Sequence, residues 1–165
     1  PDIRASERTF QLIAQVAGRT GRSERGGRVL VQSACPDDPA IRLACEHDYA
    51  SFVTHELAHR RATLTPPFTS LARVILRSPD ELAVADVARG TAEVLRKAQP
   101  DPPAVRILGP APAPISRVKN YYRFHLQLAA ETPEAIRELW LSVVSDLPKH
   151  PAVESVIDVD PLNLR

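Results

Sequence analysis

Tyr121-Tyr122-Arg123-Phe124-His125-Leu126-Gln127-Leu128-Ala129 is the stretch that decides the fold of the larger part of this chain. Its side chains alternate. Tyr122, Phe124, Leu126 and Leu128 share one face, and Arg123, His125 and Gln127 share the other. Period-two alternation predicts a strand with one buried and one wet face. The apolar face then needs a covering layer, and helical patterns lie on both sides of the stretch. Ser78-Pro79-Asp80-Glu81 reads as a capping box with proline at the first helical position, opening a helix over 79–98. Its inward stripe is Val84, Val87/Ala88, Thr91 and Val94/Leu95. Thr132-Pro133-Glu134 opens a second helix, with Ile136, Leu139/Trp140, Val143/Val144 and Leu147 inward. Leu71–Arg77, Val105–Leu108 and Val153–Val159 read as three further strands, with Gly109–Pro114 as a proline-rich connection. The order β-α-β-β-α-β predicts an α/β (α+β) domain, a ferredoxin-like sandwich with two helices over one face of an antiparallel sheet. The last strand then borders the first, and Arg73 and Arg77 meet Glu154 and Asp158 as charge pairs across the wet face.

Upstream, residues 6–17 read as a helix capped by Ser6, with Phe10, Ile13, Ala14 and Ala17 on one face. Arg28–Ser33 reads as a short strand after the Gly26-Gly27 turn. Asp38 caps a helix that starts with Pro39. A break near His47-Asp48 restarts it, and Tyr49, Phe52, Val53 and Leu57 line one side. It stops before Thr65-Pro66-Pro67, because a residue preceding proline avoids the α region. Three segments are expected: 1–36, a helical connector at 37–65, and a C-terminal domain at 66–165.

Charge nearly balances at +1 over 165 residues, so any nucleic-acid site must be a local patch rather than a property of the whole. Cys35 and Cys45 form no C-x-x-C pair. Their isolation argues against a zinc ribbon or a disulfide framework and fits a reducing, cytoplasmic setting. No signal peptide and no apolar run of membrane-spanning length is present. The chain opens at Pro1 and contains no Met, and is expected to be the C-terminal piece of a longer protein.

Three segments carry chemistry. Gln15-Val16-Ala17-Gly18-Arg19-Thr20-Gly21-Arg22 places two arginines three apart, each after a glycine. Guanidinium forks neutralise the charge on a transferring phosphoryl group. The glycines let the backbone turn tightly near a ligand. The plain alternative is a solvated Gly-Arg loop. No G-x-x-x-x-G-K-[ST] loop exists to cradle phosphates, so the motif is half of a site. Arg117-Val118-Lys119-Asn120-Tyr121-Tyr122-Arg123 holds three cations and two tyrosines with no acid between them. Cations contact phosphates and an exposed tyrosine stacks on an unpaired base. In the plain alternative Tyr122 belongs to the core and the cations only solubilise an edge. Finally, His55-Glu56-Leu57-Ala58-His59 matches H-E-x-x-H, a zinc-hydrolase signature. No third ligand stands at the extended spacing, residue 62 is Ala, and Glu81 or Glu93 would have to come from the next domain.

Gln15 through Arg22 resembles the arginine-finger motif, QxxGRxGR, of superfamily 2 helicases. The wider run from Pro1-Asp2-Ile3-Arg4-Ala5 through Glu7-Arg8, Phe10-Gln11-Leu12 and on to Arg22 resembles the family of primosomal protein N-prime, the bacterial replication-restart helicases. So do Arg60-Arg61, Pro66-Pro67-Phe68, Ile107-Leu108-Gly109-Pro110, Tyr122-Arg123-Phe124 and Asp158-Val159-Asp160-Pro161. The resemblance covers essentially the whole chain. It implies the end of helicase lobe 2 followed by a domain that binds branched DNA and single-stranded DNA-binding protein. It also implies an intact 3′-to-5′ DNA helicase that recognises stalled forks and starts primosome assembly with other primosome proteins. Arg19 and Arg22 would face ATP and Mg²⁺ with Gln15 in support. Zinc would be bound upstream, outside these residues, with no metal held here and no role in a membrane. This piece alone is expected to be inactive as an ATPase. Two other readings stand beside it: a free-standing nucleic-acid-binding ferredoxin-like module, and a zinc hydrolase built on His55 and His59. The first would need exposed aromatics on the open sheet face, where Arg73, Arg77, Arg123 and His125 are expected instead.

Overall fold

In the computed structural model the alternating stretch becomes a central strand of one antiparallel sheet. Residues 3–20 and 28–161 are described. The elements are α1 (Ala5–Thr20), α2 (Pro39–Cys45), α3 (Tyr49–Ala62), β1 (Ser70–Ser78), α4 (Glu81–Lys97), β2 (Arg106–Val118), β3 (Tyr121–Ala130), α5 (Pro133–Val143) and β4 (Glu154–Val159). They form two units, one within residues 2–63 and one within 64–165.

The larger unit has a four-stranded sheet in the order β2-β3-β1-β4, every neighbour antiparallel. The pairings Val74 with Leu126 and Leu76 with Phe124 put the apolar faces of β1 and β3 on one side. Ala72, Val74, Leu76, Leu126 and Leu128 are buried there with Val84, Ala88, Ala92 and Leu95 of α4 and Ile136, Leu139 and Val143 of α5. Trp140 packs against the same cluster, so the Trp and Leu stripe of α5 is core. Arg73, Ile75, Arg77, Tyr121, Arg123, His125, Glu154, Val156 and Asp158 occupy the other face by the same alternation and register.

Four expectations in this unit are corrected. Asp80, not Ser78, caps α4, its Oδ1 accepting from the Leu82 and Ala83 N–H at 3.0 and 3.1 Å. Ser78 Oγ instead accepts from Asp80 N–H. The proline-rich connection Gly109–Pro114 is strand, part of β2. An edge strand with irregular pairing tolerates prolines, since its outer N–H groups need no partner, and β2 shows register shifts at Leu108/Ala111 and Pro112/Arg117. Gly109 makes the first shift feasible. Its φ is +94°, and a Cβ there would lie 2.8 Å from the His125 carbonyl oxygen. Finally, α5 ends at Val143, leaving Val144 exposed, and β4 begins at Glu154 rather than Val153.

In the smaller unit Phe10, Ala40, Leu43, Ala44 and Phe52 are buried together, with Phe10 and Phe52 stacked at 4.4 Å between centroids. The caps at Asp38 and Asp48 form as expected, and His47 takes a φ of 56° at the break. Of the residues expected along one side of α3, Tyr49 and Leu57 are 65% and 39% exposed. α1 starts before Ser6, which lies inside the helix rather than capping it, and runs past Ala17 to Thr20. Gly18 is therefore helical and not a turn. Arg28–Ser33 forms no strand, and Leu30 is 89% exposed. A strand needs a neighbour for its backbone groups, and among the described residues none lies beside it.

Arg60 ties this unit together. Its Nη2 donates to the Ile3 carbonyl and Glu7 Oε1, both at 2.9 Å, and its Nε donates to Glu56 Oε1 at 2.8 Å. Its side chain is only 11% exposed. Arg60→Ala removes the cation between two carboxylates, and should cost roughly 2 kcal/mol by hydrogen exchange of α1 and α3 amides. A loss below about 0.5 kcal/mol, the range of ordinary surface changes, would mean that the network is ornamental to stability.

Candidate nucleic-acid interface

The cation and tyrosine tract of residues 117–123 forms the hairpin between β2 and β3. Lys119 and Asn120 both have positive φ, 48° and 65°, which makes the two-residue turn that matches strand twist. This turn sets Lys119 exposed at the hairpin tip. The hairpin also divides the tract between two faces. Arg117 pairs with Tyr122 across the ladder, and its guanidinium lies 5.0 Å from that ring's centroid. Tyr122 in turn packs on the helix-side core. Arg117 Nη2 also donates to Asn120 Oδ1 at 3.3 Å. Tyr121 and Arg123 point to the open face, with Arg123 Nη1 donating to the Ile115 carbonyl at 3.3 Å.

The charge pairs expected on the open face are present. Arg77 donates through Nε and Nη2 to Glu154 Oε2 at 2.9 and 2.6 Å, and Arg73 Nη2 reaches Asp158 Oδ2 at 3.4 Å. Arg73 is buried, unlike the solvated residue expected. One contact was not foreseen. The Arg77 guanidinium lies 5.6 Å from the Tyr121 centroid, so this face carries an aromatic ring, contrary to the expectation of none. The signal was legible, since Tyr121 stands two residues before Arg123. Together Ile75, Arg77, Val118, Lys119, Tyr121, Arg123, Glu154 and Val156 line a shallow depression of about 460 Å³.

His125 sits half-buried farther along the same face. Burial, then the charges of Arg73 and Arg123, lower its pKa below the ordinary imidazole value. Because the folded value is the lower one, the unfolded chain takes up a proton first as pH falls. The stability from neutral His125 is therefore complete above about pH 6.5, the unfolded-state value. It drains away as pH drops below that towards the folded value. Urea midpoints should fall between pH 7.5 and 5.5, and His125→Gln should flatten that part of the curve. The lowered carboxyl pKa of Asp48, held by hydrogen bonds from Ser51, acts only at more acid pH.

Gln15 and Arg19 lie exposed on α1. Arg22 lies outside the described residues. In the H-E-x-x-H stretch, His55 and His59 are exposed on α3, while Glu56 is engaged by Arg60. That carboxylate is already engaged in the Arg60 network that joins α3 to Ile3 and Glu7. No helix among the described residues is long and apolar enough to cross a membrane.

Known proteins match this chain closely. Proteins named "Replication restart protein PriA" from Bacillus subtilis, Treponema pallidum and Rickettsia typhi are 43%, 37% and 36% identical, over 75%, 99% and 97% of this chain. The chain spans 15%, 25% and 24% of their respective lengths. The family described as the primosomal protein N C-terminal domain matches residues 61–162, which takes in α4, α5 and the whole sheet. On that match the chain belongs to the primosomal protein N C-terminal domain family.

Proposed function

We propose that this chain is the C-terminal part of an ATP-dependent 3′-to-5′ DNA helicase that recognises stalled replication forks and initiates primosome assembly in replication restart. In this reading the domain around the sheet is ferredoxin-like and contacts branched and single-stranded DNA, single-stranded DNA-binding protein and primosome proteins in the cytoplasm. Residues upstream of α2 close a helicase lobe, where Arg19 and Arg22, with Gln15 in support, face ATP and its Mg²⁺. Most of the nucleotide site belongs to sequence outside this chain, and the chain alone is inactive as an ATPase. The observation that carries the DNA half is the clustering of Lys119, Tyr121 and Arg123 around one depression. Cations there meet phosphates, and their release of counterions makes binding salt-dependent.

Anisotropy of the chain with a forked DNA and a blunt duplex of equal length, at two salt concentrations, tests this reading. Tighter, salt-dependent binding to the fork is expected. Replacing Lys119 and Arg123 by glutamine should weaken binding and lower the slope of log K against log salt by about 0.7–0.9 per lost phosphate contact. Arg117→Gln should matter less, because Arg117 lies over Tyr122 on the other face. An unaltered slope in the double variant would remove the patch from the DNA path.

A further inference from the structure

We infer that the depression on the open sheet face seats one unpaired base of a single-stranded nucleic acid, with Tyr121 as its stacking surface. This inference rests on the DNA-binding reading above and narrows it to a ligand and an orientation. About 460 Å³ lies within the ~300–1,000 Å³ common for small-ligand sites. Its floor is apolar. Ile75 and Val156 are register partners on β1 and β4, and Val118 closes the hairpin side. Val156 and Val118 are 56% and 40% exposed, so apolar surface is left open inside a charged rim. A base stacked and paired within a duplex cannot use such a floor, whereas a splayed base brings a flat apolar face to it.

The rim argues in the same direction. Arg77, Lys119 and Arg123 oppose a single carboxylate, Glu154. Arg77 is held by that carboxylate through two hydrogen bonds, which cancels its charge locally and fixes its guanidinium over one face of the Tyr121 ring. The cations left to meet phosphates are therefore Lys119 and Arg123, both towards the hairpin. The paired Arg77 and Glu154 together offer phosphate no net charge. The strand is thus expected to run past the hairpin tip, with one base turned inward beside Tyr121.

The test uses the whole chain with an oligothymidine carrying one 2-aminopurine, and a blunt duplex of equal length. With the unaltered chain, 2-aminopurine fluorescence should be quenched on binding. Tyr121→Ala should weaken single-strand binding about tenfold and abolish the quench, with duplex affinity nearly unchanged; Tyr121→Phe should retain both. Val156→Glu, at an exposed edge-strand position, should weaken single-strand binding by a similar factor without depending on Tyr121 for folding. Equal losses on both DNAs, or indifference to Tyr121→Ala and Val156→Glu, would overturn the base seat. If the single strand and duplex still bound with a salt slope that Lys119 and Arg123 control, the DNA reading would survive that loss. If the unaltered chain bound neither DNA, the DNA reading would fall and the base seat with it.

Discussion

On the proposed helicase reading, Arg22→Ala in the longer protein that contains this chain is expected to cut ATP turnover by roughly a thousandfold, the lower end of the arginine-finger range. Its affinity for DNA should stay unchanged. The argument is electrostatic. In phosphoryl transfer the γ-phosphate oxygens carry spread charge, and a guanidinium fork answers two of them at once. Alanine leaves that charge to water and Mg²⁺. Arg22→Lys should recover only part of the loss, because an ammonium is a point charge without the planar fork. The proposed DNA contacts, Lys119, Tyr121 and Arg123, lie far along the chain, so the two readouts should separate. Steady-state ATPase with and without single-stranded DNA, alongside anisotropy, measures both. Turnover within a few-fold of the parent would end the arginine-finger assignment of Arg19 and Arg22.

Leu126→Ala should cost about 3 kcal/mol, within the range for a leucine truncated in a closed core, and lower the melting temperature of the sheet-bearing unit by roughly 15 °C. Leu126 is wholly buried, in register with Val74, on a strand flanked by β1 and β2. It lies in one cluster with residues of α4 and α5. Neither neighbouring strand can collapse into the gap, because both are fixed by their ladders. Gln127, one residue on, faces the other way, and Gln127→Ala should stay within about 0.5 kcal/mol. Thermal unfolding followed by circular dichroism compares the pair. Similar costs for the two would contradict the face assignment of β3.

Features set by local chemistry were legible in the sequence. The alternation of Tyr122, Phe124, Leu126 and Leu128 predicts which side of β3 is dry, and the structure has it so. The caps Asp38, Asp48 and Thr132 are legible because a carboxylate or hydroxyl at that position bonds the first free N–H groups of the helix it starts. Misreadings came where a local signal was overruled. Prolines marked 109–114 as a connection, yet an outer edge lets them lie in a strand. Arg28–Ser33, expected as a short strand after the Gly26-Gly27 turn, finds no neighbour among the described residues. Gly18 promised a turn and continues a helix, since glycine permits both backbone conformations.

The candidate interface divides in the same way. Sequence alone identified the residue types, Lys119, Tyr121 and Arg123 in one acid-free tract, and the order of strands and helices that carries them. Only the tertiary structure separated Arg117 from that group, placed Arg77 and Glu154 beside Tyr121, and put an apolar floor of Ile75 and Val156 beneath it. Those residues are up to eighty or so positions apart, brought together by strand register. Register is a property of pairing between distant segments, which no single segment encodes, whereas periodicity and capping act within a few residues of the chain.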